Sequence, residues 1–150
     1  MITYKKGDLL TDEAFALVNT VNTVGAMGKG IALAFKKAFP DNYLRYRTAC
    51  LAGNVRVGEL FVVPDSTLLM GQRLIINFPT KKDWRDPSEY EYVTMGLTKL
   101  RAFIQDNKIT SLAMPALGCG NGGLNWDKVK PMIVEALRGL DCEIAVYEPA

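Results

Sequence analysis

Ala16-Leu17-Val18-Asn19-Thr20-Val21-Asn22-Thr23-Val24-Gly25-Ala26-Met27-Gly28-Lys29-Gly30-Ile31-Ala32-Leu33-Ala34-Phe35 is an apolar strand that breaks into asparagines, then into three glycines within six residues, then into a helix. A strand that turns into a helix through glycines brings backbone N–H groups close to an anion at the helix N-terminus. Asn19 and Asn22 add neutral amide donors and acceptors that can read a sugar or a base. The run therefore points to a nucleotide-like ligand. It lacks the GxGxxG spacing, and no GxxxxGK[ST] string occurs anywhere in the chain, so a Rossmann dehydrogenase and a P-loop NTPase are poor fits.

Outward from this run, mostly apolar strands alternate with helices. Ile2–Lys5, Ala16–Thr20, Glu59–Val63, Arg73–Phe78, Ser111–Pro115 and Glu143–Tyr147 read as strands, with a loop beginning at Pro64–Thr67. Gly30–Phe39 has helical spacing and is closed by Pro40. Asp41–Ala52 reads as a second helix, stopped by Gly53. Pro87-Ser88-Glu89 opens a long helix reaching about Asn107, with Ser88 as its cap, and Trp126–Leu140 forms the last. The alternation predicts one domain over residues 1–150, a three-layer α/β/α fold around a mixed sheet.

Bulk composition narrows the chemistry. The chain has 150 residues, 49% of them hydrophobic and 23% charged, and a net charge of +2, which carries no overall nucleic-acid signature. Its three cysteines have neither metal-type spacing nor the even count of a disulfide framework, so a reducing, cytoplasmic setting is expected. No signal peptide or membrane span is visible, and neither a metal nor a cofactor is expected. The chain has no histidine. Ser-His-Asp and Cys-His mechanisms are thereby excluded, leaving Lys, Asp, Glu, Tyr, Cys, bound water or the ligand to do any chemistry.

Three further segments stand out. Gly118-Cys119-Gly120-Asn121-Gly122-Gly123 follows an apolar strand as the first glycine run does. In an open α/β sheet such loops converge beyond the carboxyl ends of the strands, and a pair of them suits a diphosphate. The alternative is that the glycines serve tight turns only. Asp8 follows the first strand, where a carboxylate either accepts from an exocyclic amine of adenine or simply caps a turn. Asn77-Phe78-Pro79-Thr80-Lys81-Lys82-Asp83-Trp84-Arg85 ends a strand in a fixed turn and a basic cluster. There Lys81 is either a nucleophile toward a sugar carbon or part of a solvated basic loop. Trp126 reads as packing, Tyr147 as a ring able to stack on a base, and Cys119 as a small loop residue with no base to activate it.

Gly7-Asp8-Leu9, Val18–Asn22 and the two glycine loops together resemble a macrodomain, the ADP-ribose-binding fold. More closely, Asn19–Ala32 and Ile76-Asn77-Phe78-Pro79-Thr80-Lys81 with Trp84-Arg85 are similar to the macrodomain of the DNA ADP-ribosyl glycohydrolase (DarG) antitoxins. The resemblance runs from Met1 to Val146-Tyr147-Glu148-Pro149. It implies a hydrolase that removes ADP-ribose from thymidine bases of single-stranded DNA and so reverses a DarT-like toxin.

The resemblance also implies positions. Asp8 and Leu9 hold adenine; Asn19, Thr20, Val21 and Asn22 line the distal ribose; and Gly28, Lys29, Gly30, Ile31 and Ala32 wrap the diphosphate. Leu117, Gly118, Cys119, Gly120 and Asn121 close over it from the other side, with Thr80 and Tyr147 completing the ligand set. Lys81 is the catalytic residue, assisted by Asn22, and Lys82, Trp84 and Arg85 meet the DNA. Related macrodomains that act on glutamate carry an aspartate where this chain has Gly122, which favours the DNA-directed branch. Toxin contacts are expected through a C-terminal region beyond this macrodomain. A non-catalytic ADP-ribose-binding module, or a hydrolase of protein-linked or O-acetyl-ADP-ribose, are the alternatives.

Overall fold

The computed structural model describes residues 1–69 and 71–150. Six strands form one sheet: β1 (Ile2–Lys5), β2 (Ala16–Val21), β3 (Phe61–Thr67), β4 (Gly71–Pro79), β5 (Ser111–Pro115) and β6 (Glu143–Tyr147). Their order is β1-β6-β5-β2-β4-β3, parallel throughout except for β3, which runs antiparallel to β4 along the edge. The helices are α1 (Gly30–Ala38), α2 (Pro40–Leu51), α3 (Tyr90–Asp106) and α4 (Trp126–Leu137).

Strand alternation divides the core. Val18, Ile76, Phe78, Leu112, Met114, Ile144 and Val146 face the apolar stripes of α3 and α4, namely Val93, Leu97, Leu100 and Ile104 with Val129, Ile133 and Leu137. Leu17, Ile75, Ala113 and Ala145 face the other way, onto Phe35 of α1, Phe39 and Leu9. Each such side chain contributes about 1.5–3 kcal/mol on leaving water, so the two layers hold the sheet between them. No helix among the described residues is long and apolar enough to cross a membrane.

Some boundaries differ from expectation. Pro64–Thr67 belongs to β3 rather than to a loop, because an edge strand tolerates a residue without an N–H, and Pro64 pairs with Leu74 there. Pro40 opens α2 as well as closing α1, a position where its missing N–H costs nothing. The last helix stops at Leu137, three residues early, and Gly139 then turns the chain at φ +78°. Ser88 does not cap α3; the cap position is Glu89, with no side-chain bond.

Two features of the sheet position the site. The β2–β5 ladder stops at Leu17↔Ala113, short of the β2 end at Val21, so the loops after these strands emerge where pairing has ceased. β2 and β4, in contrast, stay paired to Val21↔Pro79. Within that ladder Asn19 lies opposite Asn77, and both are fully buried with Asn42 of α2. Asn77 and Asn42 exchange amide bonds at 2.8 and 3.2 Å, and Asn19 Nδ2 donates to Asn77 Oδ1 at 3.4 Å.

Candidate active site

The loops following β2, β4 and β5 meet at Asn121. Gly30, the first residue of α1, has φ +56°, and a Cβ there would stand 3.1 Å from Asn121 Nδ2. From the β4 loop, Lys81 Nζ donates to Asn121 O at 3.0 Å and to Trp84 O at 3.4 Å. Three segments far apart in sequence thus converge on one asparagine, with Lys81 a half-buried residue.

Asn22 builds the first loop. Its Oδ1 accepts from the N–H groups of Val24, Gly25 and Ala26 at 3.1–3.3 Å, while Nδ2 donates to Ala26 O at 2.8 Å. The Tyr46 hydroxyl, reaching up from α2, lies 2.8 Å from Asn22 O and 2.9 Å from Oδ1. Burial pushes the Tyr46 phenol far up, so it stays protonated and donating. Only one Nδ2 hydrogen of Asn22 remains for anything else. Its main contribution is to shape the loop that was expected to bind.

Asn19 was expected against the ligand. The structure gives it no exposed surface: Nδ2 faces Asn77 and Met27 Sδ, and Oδ1 has no partner within the protein. Leu117 and Val21 are also buried. Thr20 and Ile31 are half-buried, Thr80 buried, and Gly28, Lys29 and Gly120 exposed.

The second loop is locked to the chain before α3. Ser88 N–H donates to Gly122 O at 3.0 Å, and Leu124 N–H to Gly118 O at 2.9 Å. A Cβ at Gly122 would collide with Ser88 Oγ and with the Gly118 carbonyl oxygen. No side chain fits at 122, carboxylate or otherwise. Burial pushes the Cys119 thiol up to about 11, which leaves it protonated and poorly nucleophilic at neutral pH.

The remaining candidates sit around this centre. Asp8 caps the turn at Leu9–Thr11, its Oδ1 accepting from Leu10 N–H at 3.0 Å, while the residue stays exposed. The Tyr147 hydroxyl donates to Asp12 Oδ2 at 2.8 Å. Burial draws the Asp12 carboxyl upward, but the bonds from Tyr147, Ala14 N–H and Lys5 outweigh it and hold the group below its usual range. Arg85, expected to attract phosphate, is closed on Asp83 through two bonds of 3.0 and 3.1 Å; these bonds hold the Asp83 carboxyl down at about 2. Lys82 is exposed, 6.0 Å over the Tyr92 ring. Two concavities elsewhere, of about 310 and 480 Å³, are lined in part by Lys5 with Glu143 and by Leu44 with Thr48. Neither includes a residue expected in the site. Among the described residues no group of acidic, Cys or His side chains could hold a metal.

Tyr46, and the contact between Ser88 and Gly122, escaped the sequence reading. Asn42 and Tyr46, four apart on α2, share its inner face, a spacing that could have marked them as partners for buried polar groups. Nothing local could have announced that Ser88 would meet Gly122.

A mostly parallel sheet thus carries two glycine loops and a lysine that converge beyond its strands, the arrangement that comparison with known proteins places in a family. Residues 18–133 match the family model described as Macro domain. This chain belongs to the macrodomain family, within the group of DarG macrodomains. It is 54% identical over 150 residues to the DNA ADP-ribosyl glycohydrolase of Thermus aquaticus, covering 99% of this chain and 41% of that protein. It superposes on the macrodomain of Mycobacterium tuberculosis DarG with a TM-score of 0.95 at 49% identity, covering 100% of this chain and 99% of that one. Thermosipho africanus DarTG in complex with ADP-ribose matches at 0.92 and 34% identity, covering 99% of this chain and 41% of that one. The chain spans about two fifths of the length of the curated DNA ADP-ribosyl glycohydrolases it matches, 41–43%.

Proposed function

We propose that this domain removes ADP-ribose from thymidine bases of single-stranded DNA, acting as a DNA ADP-ribosyl glycohydrolase that reverses a DarT-like toxin. The meeting of both glycine loops and the Lys81 amine at Asn121 carries the reading. The name of the Thermus relative and the ADP-ribose in the Thermosipho complex support it. In the Thermosipho protein, transferase and glycohydrolase are fused in one chain, which supports a paired toxin as partner, engaged through a region beyond this macrodomain. The cytoplasm, where its DNA lies, is the proposed place of action.

The residues take the following parts. The exposed carboxylate of Asp8 and the backbone at Leu9 receive adenine, and the N–H groups from Gly28 to Ala32 meet the diphosphate, aided by the partial positive charge at the start of α1. Backbone groups of Leu117 to Asn121 lie across from them. Thr20, Val21, Asn22 and Thr80 border the distal ribose.

The carbonyls of Asn121 and Trp84 hold Lys81 Nζ in place, and as an amine it would present a lone pair to the anomeric carbon. The new C–N bond to lysine forms as the bond from sugar to base breaks; the base departs with the bonding pair and takes up the proton that the alkylated lysine nitrogen sheds. Water then releases ADP-ribose and restores the amine.

Lys81→Ala should slow release of ADP-ribose from an ADP-ribosylated oligonucleotide by about a thousandfold, on the scale of losing a nucleophile, with ADP-ribose still binding by calorimetry. Unchanged release would remove the hydrolase assignment of Lys81. Absence of release by the unaltered domain would leave only a binding module.

A further inference from the structure

Trp84 is 54% exposed and belongs to none of the apolar clusters. Its loop, however, is firmly tied. Thr23 donates to Lys82 O through both its N–H and its hydroxyl, at 3.0 and 2.6 Å. Asp86 N–H donates to Asp83 O at 3.0 Å, and Arg85 N–H to Asp83 Oδ1 at 3.0 Å. The Trp84 carbonyl itself accepts from Lys81 Nζ. A large indole is thus displayed to solvent on a fixed frame, in the residue whose carbonyl meets the amine proposed to react.

The indole is also backed on one side. The Arg85 guanidinium lies 5.5 Å from the Trp84 ring and is held there by the two bonds to Asp83. Its charge is balanced by that carboxylate, so attraction of a distant phosphate is a poor account of this arginine. Orienting the tryptophan is a better one. Lys82, exposed on the same loop, remains as the cation directed to a phosphate backbone.

We infer that Trp84, oriented by the Asp83–Arg85 pair, is a stacking platform for an unpaired base next to the modified nucleotide. The inference rests on the reading that the substrate is a DNA strand, and adds how the strand is held. Stacking on an aromatic ring is tolerant of sequence, because every base has a π face, and it requires a base that is not already stacked in a duplex. The platform therefore selects single strands without selecting a sequence. Holding the ring in place before binding reduces the ordering cost of the encounter.

The test uses unmodified, fluorescein-labelled oligothymidylate and an abasic strand of the same length, titrated with the domain by anisotropy. The wild type should bind the base-bearing strand about tenfold more tightly than the abasic one, within the range expected for one stacked base. Trp84→Ala should erase that preference and Trp84→Phe should keep most of it. Equal preference in wild type and Trp84→Ala, or tighter binding of the corresponding duplex, would overturn the inference. In the release assay, Trp84→Ala should lower kcat/KM for an ADP-ribosylated oligonucleotide about tenfold more than for ADP-ribosylated thymidine. Equal losses on both would mark a merely structural role and refute the platform. Base-dependent binding without ADP-ribose release would defeat the proposed hydrolysis and leave the platform standing; release without base preference would do the reverse.

Discussion

The two glycine loops look alike as text and are built on opposite principles. The first is shaped by a side chain: Asn22 gathers three backbone N–H groups, and Tyr46 supports it from below. Around Gly28 the protein leaves space, since a Cβ there would meet nothing within 4 Å. The second loop is shaped by contact, with Gly122 pressed against Ser88 and the Gly118 carbonyl. One glycine is small because the protein fills the room; beside the other the room is left open, which is where the proposed function puts the diphosphate. On that proposal the difference separates residues that hold the fold from residues that hold the ligand.

Three substitutions and one labelling experiment probe the contrast. Asn22→Ala should have the largest effect on stability, about 4 kcal/mol, because three backbone N–H groups lose their acceptor and the Ala26 carbonyl its donor, at roughly 1 kcal/mol each. Urea unfolding would measure it, and a change below about 1 kcal/mol would show that water replaces the amide readily. Gly122→Ala should cost about 3 kcal/mol, at the upper end for overpacking, with Ser88→Gly recovering only part of the loss because the Gly118 carbonyl stays. Full recovery would show that Ser88 alone forbids a side chain.

Gly28→Ala should change stability by less than about 0.5 kcal/mol yet weaken ADP-ribose binding about tenfold, or about 1.4 kcal/mol. Unchanged affinity by calorimetry would break the distinction between the loops. The smallest effect is chemical. With the Cys119 thiol pushed up to about 11, only about a thousandth is thiolate at pH 8. Alkylation by iodoacetamide should be slow at pH 8 and accelerate toward pH 11; rapid labelling at neutral pH would show the second loop to be more open than its packing indicates.

Features carried by local pattern were legible in the chain. Alternating strands and helices give a three-layer domain, and a strand ending in glycines before a helix gives the first loop. The β4 loop was readable because Lys81-Lys82 lies just beyond an apolar strand that ends at a proline, Pro79. What escaped depends on long-range partners. Asn19 and Asn22 are the same residue type three positions apart, but one ends inside a buried amide cluster and the other under a loop, as decided by Asn77 and Tyr46. Arg85 is an exception, since its partner Asp83 is only two residues away, but spacing alone does not show that the turn closes one on the other. Pro64 suggested a loop because a sequence does not mark which strand will lie at an edge.

The buried amides of Asn19, Asn42 and Asn77 have a consequence for where the amine can be. Sliding β2 against β4 would take Asn19 away from Asn77 and set apolar side chains against unpaired amides, at a desolvation cost of about 1–3 kcal/mol per group. A slip also displaces everything downstream by about 3.3 Å per residue, and Lys81 lies only four residues beyond Asn77. The trio thus acts as an index mark on the sheet, making the offset between the loop after β2 and Lys81 a discrete quantity fixed during folding.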